Sequence, residues 1–81
     1  MHELSLALSI LDGVEQESAA HGGLCVRAVR LRVGTLAAVS MDALTFAYQL
    51  ASQDTVLAGT RLVIECVEGR ELLITALEVD P

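Results

Sequence analysis

The chemistry of this sequence is concentrated in its first three residues, Met1-His2-Glu3. A free α-amino nitrogen, the amide nitrogen of His2 and its imidazole close two fused chelate rings on one metal, one five-membered and one six-membered. Glu3 or a nearby backbone group completes a square. Such a nitrogen-rich planar set matches the tetragonal preference of Ni(II) or Cu(II) and not the tetrahedral preference of zinc. A bulky second residue disfavours removal of Met1, so the geometry survives processing. On residue chemistry alone, the same histidine also reads as a solvated side chain beside the chain start.

The other reactive residue types have plainer readings. His21 precedes Gly22-Gly23 and suits the C-terminal end of a helix, where a partial positive charge meets the dipole. Cys25 and Cys66 fall on the apolar register of predicted strands, which implies inert core thiols. Arg30 and Arg32 share a strand face, either solvated, paired with carboxylates or serving a protein interface. The sequence shows no nucleophile, base and orienter set, no phosphate-binding glycine loop and no dinucleotide fingerprint. A non-enzymatic role is therefore expected.

The elements that must position the N-terminal run are legible from periodicity. Leu4, Ala7, Leu8, Leu11 and Val14 recur at helical spacing from Glu3 to about Ala20, and Asp12, Glu15 and Glu17 fall on the other side. His21-Gly22-Gly23 stops that helix. Leu24 to Val33 alternates as a strand, with Cys25, Val29, Leu31 and Val33 on one face and Val26, Ala28, Arg30 and Arg32 on the other. Ser40 is a candidate N-cap for a second helix, Met41 to Ser52, with Met41, Leu44, Ala47, Tyr48 and Ala51 as its buried stripe and Asp42 in its first turn. Thr60 to Val67 and Glu71 to Val79 are two further strands, and the short link Glu68-Gly69-Arg70 predicts a tight antiparallel hairpin with Leu62, Ile64, Leu73 and Leu77 in the core. The order is α-β-α-β-β, an α/β (α+β) fold. Its middle β-α-β is a right-handed crossover if the strands are parallel, giving a small mixed three-stranded sheet with both helices on one face.

At 81 residues the chain has room for one small domain, residues 1–81, with about half its residues apolar and only Phe46 and Tyr48 aromatic. Stacking on single-stranded nucleic acid is excluded by that aromatic content, and a formal charge of −6, with arginine as its only cation, disfavours any polyanion. The acidity reads as solubility or as attraction for a metal cation or a basic partner, and composition does not separate these. No run approaches the roughly 20 apolar residues of a membrane span, and no basic leader precedes the first helix, so a cytoplasmic protein with reduced thiols is expected. Two cysteines do not make a four-thiolate zinc site within one chain.

Met1 to Ala7 followed by Ile10-Leu11, His21-Gly22, Val29 to Leu36, Val39 to Tyr48, Gly59 to Glu65 and the ending Glu71 to Val79 closely resemble, in order, the hydrogenase nickel-incorporation family (HypA/HybF type). The resemblance covers nearly the whole chain. It implies that Met1, His2 and Glu3 form a Ni(II) site. It also implies that the protein is a metallochaperone handing nickel to a nickel-iron hydrogenase large-subunit precursor, with a maturation GTPase as partner. The alternative is a metal-independent interaction module of a maturation complex. The final acceptor, hydrogenase or urease, and the oligomeric state are open.

Two departures from the family pattern stand out. Members carry a zinc module with paired Cys-x-x-Cys motifs between the last two strands, whereas here Glu68-Gly69-Arg70 runs directly into Glu71-Leu72, so the module is missing between about residues 70 and 71. Where the family often has an acidic residue proposed to approach the nickel, this chain has Ser40, and Asp42 is the nearest carboxylate and a possible additional ligand.

Overall fold

The computed structural model describes residues 2–81. Its elements are α1 (Glu3–Ala20), β1 (Val26–Gly34), a 3-10 turn (Thr35–Ala37), α2 (Met41–Ser52), β2 (Arg61–Val67) and β3 (Leu72–Val79). This is the α-β-α-β-β order read from the sequence, and both helices share a single core with one face of a three-stranded mixed sheet.

Both helix ends predicted from sequence carry the geometry that stops a helix. The Gly23 N–H bonds the Ser18 carbonyl at 2.8 Å and the Gly22 N–H bonds the Ala19 carbonyl at 3.2 Å, closing α1 in a Schellman motif. Gly22 at φ 78° supplies the left-handed conformation this motif needs. At α2 the Ala43 N–H donates to Ser40 Oγ at 3.3 Å, the predicted N-cap.

The buried stripes sit slightly round from the predicted ones. On α1 the core side is Ala7, Ile10, Leu11 and Val14, while Leu4 and Leu8 are each 53% exposed. On α2, Leu44, Ala47, Tyr48 and Ser52 are buried and Met41 is exposed. Periodicity gives the spacing of an apolar stripe, but its centre depends on what the helix packs against. Ile10 and Leu11 both turn inward here because α1 faces both the sheet and α2.

The strand order is β2-β1-β3, with β1 parallel to β2 and antiparallel to β3. The predicted β2–β3 hairpin is therefore wrong: β1 lies between the two strands, and residues 68–71 cross its end. The sequence showed how short the link is but not which strand it spans. Crossing two inter-strand spacings, roughly 10 Å, is within reach of a four-residue link at about 3.3–3.6 Å per residue. The link is tied to the strand it crosses, with Gly34 N–H to the Glu71 carbonyl at 2.6 Å and Leu36 N–H to the Gly69 carbonyl at 2.8 Å. A Cβ at position 34 would overlap the Gly69 carbonyl, so this crossing admits only glycine.

Two register shifts explain the remaining corrections. Val26 pairs with Val79 but Ala28 with Glu78, so β1 carries an extra residue there; Arg30 pairs with Ala76 but Leu31 with Ile74, so β3 carries one as well. Each bulge flips the alternation beyond it. Val26 thus packs on the core despite being predicted on the outer face, and Leu73, predicted inside, pairs with Arg32 and is exposed. Leu62, Ile64, Leu72 and Leu77 pack against Val29, Leu31 and Val33. Both cysteines are exposed, contrary to the core-thiol expectation. Cys25 precedes β1 and its thiol contacts Asp80 at 3.3 Å, while Cys66 keeps the register of Val33 but lies at the end of an edge strand. The outer face is charged, with Arg30–Glu78 at 2.7 Å and Arg32 reaching Glu65 at 3.1 Å and Glu71 at 3.6 Å.

Candidate functional site

His2 is the N-cap of α1, in extended conformation (φ −79°, ψ 122°), and its exposed side chain makes no capping hydrogen bond. Its carbonyl accepts the first helical bond, from the Leu6 N–H at 3.0 Å. The amide N–H groups at the very start of a helix have no partner within it, so a metal that takes the amide nitrogen of His2 breaks no helical bond. The imidazole is likewise uncommitted to the cap. Met1, the third part of the predicted chelate, lies outside the described residues.

Glu3 occupies the first turn of α1, half-buried, with its negative charge where the helix dipole favours it. Its Oε2 accepts the backbone N–H of Ser40 at 3.0 Å. That bond, followed by one from its own backbone N–H, holds the Glu3 carboxyl below its ordinary range. Ser40 is itself fixed: besides its Oγ, its carbonyl accepts the Leu44 N–H at 2.9 Å. Ala38, just before it, turns the chain in a left-handed conformation (φ 56°) that a residue with a Cβ adopts only when its surroundings impose it. The N-termini of α1 and α2 thus meet at the Glu3–Ser40 contact.

Asp42, exposed in the first turn of α2, is not gathered with His2 and Glu3: among the described residues no three His, Cys, Asp or Glu side chains form a metal-holding group. His21 is the C-cap of α1, as predicted, its Nδ1 donating to the Glu17 carbonyl at 3.0 Å and lying 3.5 Å from the Glu17 carboxylate. Arg27, Arg30 and Arg32 are all committed to carboxylates on strands or at the chain end.

The sequence model of the family described as "Hydrogenase/urease nickel incorporation, metallochaperone, hypA" matches residues 1–72. The chain belongs to this family. Among curated relatives, each named hydrogenase maturation factor HypA, that of Streptomyces avermitilis is 51% identical over 71 residues, covering 86% of this chain and 54% of that protein. That of Geobacter metallireducens is 43% identical over 70 residues, 86% of this chain and 61% of its own length. That of Roseiflexus is 48% identical over 65 residues, 80% of this chain and 53% of its own. The chain thus spans between about half and three-fifths of the length of these relatives. The family's description is one of nickel incorporation, and the matched region includes Met1-His2-Glu3 and Ser40.

The contact between Glu3 and Ser40 was not foreseen from residue types. A carboxylate and a backbone N–H 37 residues apart leave no periodic signal. The available hint was the family's acidic residue at the Ser40 position, which implied proximity to the N-terminus without saying what would make it.

Proposed function

We propose that this chain is a non-catalytic nickel carrier that binds Ni(II) through the Met1 amine, the His2 amide nitrogen and the His2 imidazole, with Glu3 or a neighbouring backbone group at the fourth position. The observation that carries the reading is the state of His2: it stands at the helix start with an exposed imidazole that makes no capping hydrogen bond and an amide outside the helical ladder. Three nitrogens in two fused rings suit a tetragonal Ni(II) site, and the ion is cargo that must also leave. Asp42, in the first turn of α2, stays a possible additional ligand in this reading, although among the described residues it joins no group of three His, Cys, Asp or Glu side chains.

The family's description, hydrogenase and urease nickel incorporation, supports delivery of that nickel as the role in this reading. The partners in this reading are a maturation GTPase and the precursor of a nickel-iron hydrogenase large subunit, in the cytoplasm. No described helix is long and apolar enough to cross a membrane. The zinc module of family members would enter between residues 70 and 71, in the link that crosses β1, and this chain closes that crossing with four residues of its own.

The test is a competitive Ni(II) titration on protein with its native N-terminus, against His2→Ala. The substitution deletes one ring of the chelate, so affinity should drop by at least an order of magnitude, on the order of 1.4 kcal/mol or more. Equal affinity in the two proteins leaves a metal-independent interaction module as the better account.

A further inference from the structure

We infer that Glu3 serves the nickel site as a positioning residue, its carboxylate latching the first turn of α1 to the N-terminus of α2. The inference rests on the N-terminal reading of the site and specifies what the third residue of the motif does in it. Its geometric basis is the bond from the Ser40 N–H to Glu3 Oε2 at 3.0 Å, which joins residues 37 positions apart.

Helix ends fray first, and a chelate built on a frayed end must be ordered each time a metal arrives. His2 and Glu3 sit at such an end, and among the described residues the helix ladder reaches His2 through the bond from the Leu6 N–H to the His2 carbonyl. The latch supplies a second attachment, made to a point tied into α2 by further hydrogen bonds. Ser40 is held by its Oγ and carbonyl bonds to Ala43 and Leu44, and α2 is anchored by Leu44 and Tyr48, both wholly buried. Ser40 offers this bond through its backbone, so the contact does not require the acidic side chain that relatives often carry at that position. Fixing the backbone of the first turn in advance removes an ordering cost from metal binding, worth about one order of magnitude in affinity per residue fixed.

A latch and a ligand respond differently to the same substitutions. Glu3→Gln keeps an oxygen that accepts the Ser40 N–H but removes the anionic donor; Glu3→Ala removes both. Ser40→Pro deletes the N–H without touching Glu3, at a residue whose φ of −76° suits proline, and is read against Ser40→Ala, which loses the Oγ cap and keeps the N–H. The measurement is competitive Ni(II) titration of native-N-terminus protein, together with the ligand-field absorption of the loaded form and circular dichroism to confirm the fold. Glu3→Ala should weaken binding on the order of tenfold, Glu3→Gln should recover most of that, and Ser40→Pro should bind on the order of tenfold more weakly than Ser40→Ala. The Glu3→Ala, Ser40→Pro double variant should be no weaker than the weaker single one, because both cut the same bond. The absorption band should keep its position throughout, since the nitrogen donors are unchanged. Glu3→Gln as weak as Glu3→Ala with a displaced band makes the carboxylate a ligand and overturns the latch. So does a Ser40→Pro chain that binds like Ser40→Ala. Retention of full affinity by His2→Ala is a separate failure, since it removes the N-terminal site itself.

Discussion

Gly34 and Tyr48 show what single residues settle in this molecule. Gly34 lies under the link that crosses β1, and a methyl group there meets the Gly69 carbonyl, which is itself fixed by the Leu36 N–H. Gly34→Ala should therefore destabilise the fold by about 1–3 kcal/mol in urea unfolding, the usual cost of overpacking. A loss within error would mean that the link moves freely. Tyr48 is wholly buried, and because the Thr60 hydroxyl donates to the Leu57 carbonyl at 2.7 Å, the Tyr48 hydroxyl is the donor to Thr60. Tyr48→Phe leaves Thr60 short of a donor and should cost about 1 kcal/mol. Burial pushes the Tyr48 hydroxyl above its ordinary value, so the folded chain holds that proton more firmly than the unfolded one. Its contribution is complete below about pH 10 and is lost as pH rises through the folded value. Glu3 and Asp80 run the other way. The Ser40 N–H and the Arg27 guanidinium respectively hold them low, so what they contribute is present above the ordinary carboxylate range and lost as pH falls through their folded values. Urea unfolding across pH should show both flanks, and Tyr48→Phe should remove part of the alkaline one. An unchanged alkaline flank in that variant would assign it elsewhere. At this scale the sequence disclosed residue types able to hold a metal, which are local, and not the Glu3–Ser40 or Tyr48–Thr60 contacts, which depend on packing.

At the scale of elements, what was legible depended on how local the cause is. The bounds of α1 and α2 follow from caps and glycines a few residues away, so Ser40, His21 and Gly22 marked them correctly. The parallel β1–β2 pair is the natural partner of an intervening helix. The hairpin expectation failed because a short link and a tight turn look alike until the place of β1 between the strands is known. Bulges near Arg27 and Thr75 were invisible for the same reason, and they reverse the facing of Val26 and Leu73. Substitutions separate the two faces quantitatively. Leu31→Ala, in the middle of the central strand and wholly buried, should cost about 2–5 kcal/mol, whereas Leu73→Ser on the outer face should stay within about 0.5 kcal/mol. Comparable losses at the two positions in chemical denaturation would restore the strict alternation that the bulges replace.

For the whole molecule, both helices and the sheet share one hydrophobic core, and in the proposed reading nickel binds at the amino end without being needed for folding. Both cysteines are exposed and neither helps to close the β1 crossing, which rests on backbone bonds from Gly34 and Leu36. Metal-free protein should consequently melt at the same temperature with and without a strong chelator, and a midpoint that collapses on chelation would show a structural metal. Nickel binding, by contrast, should be strongly linked to pH, because amine, amide and imidazole nitrogens all bind the metal deprotonated. Affinity should rise roughly tenfold or more per pH unit in the range where protons are displaced. The central claim is that the chain's own amino end is a nickel donor, and it is tested most directly by adding one residue in front of Met1. Such an extension converts the α-amine into an amide and breaks the five-membered ring while leaving His2, Glu3, the latch and the core in place. Competitive Ni(II) titration of the native and extended proteins at the same pH should show a loss of at least two orders of magnitude in the extended chain, about 2.7 kcal/mol or more. Equal affinity in the two would contradict amine ligation and the N-terminal site built on it.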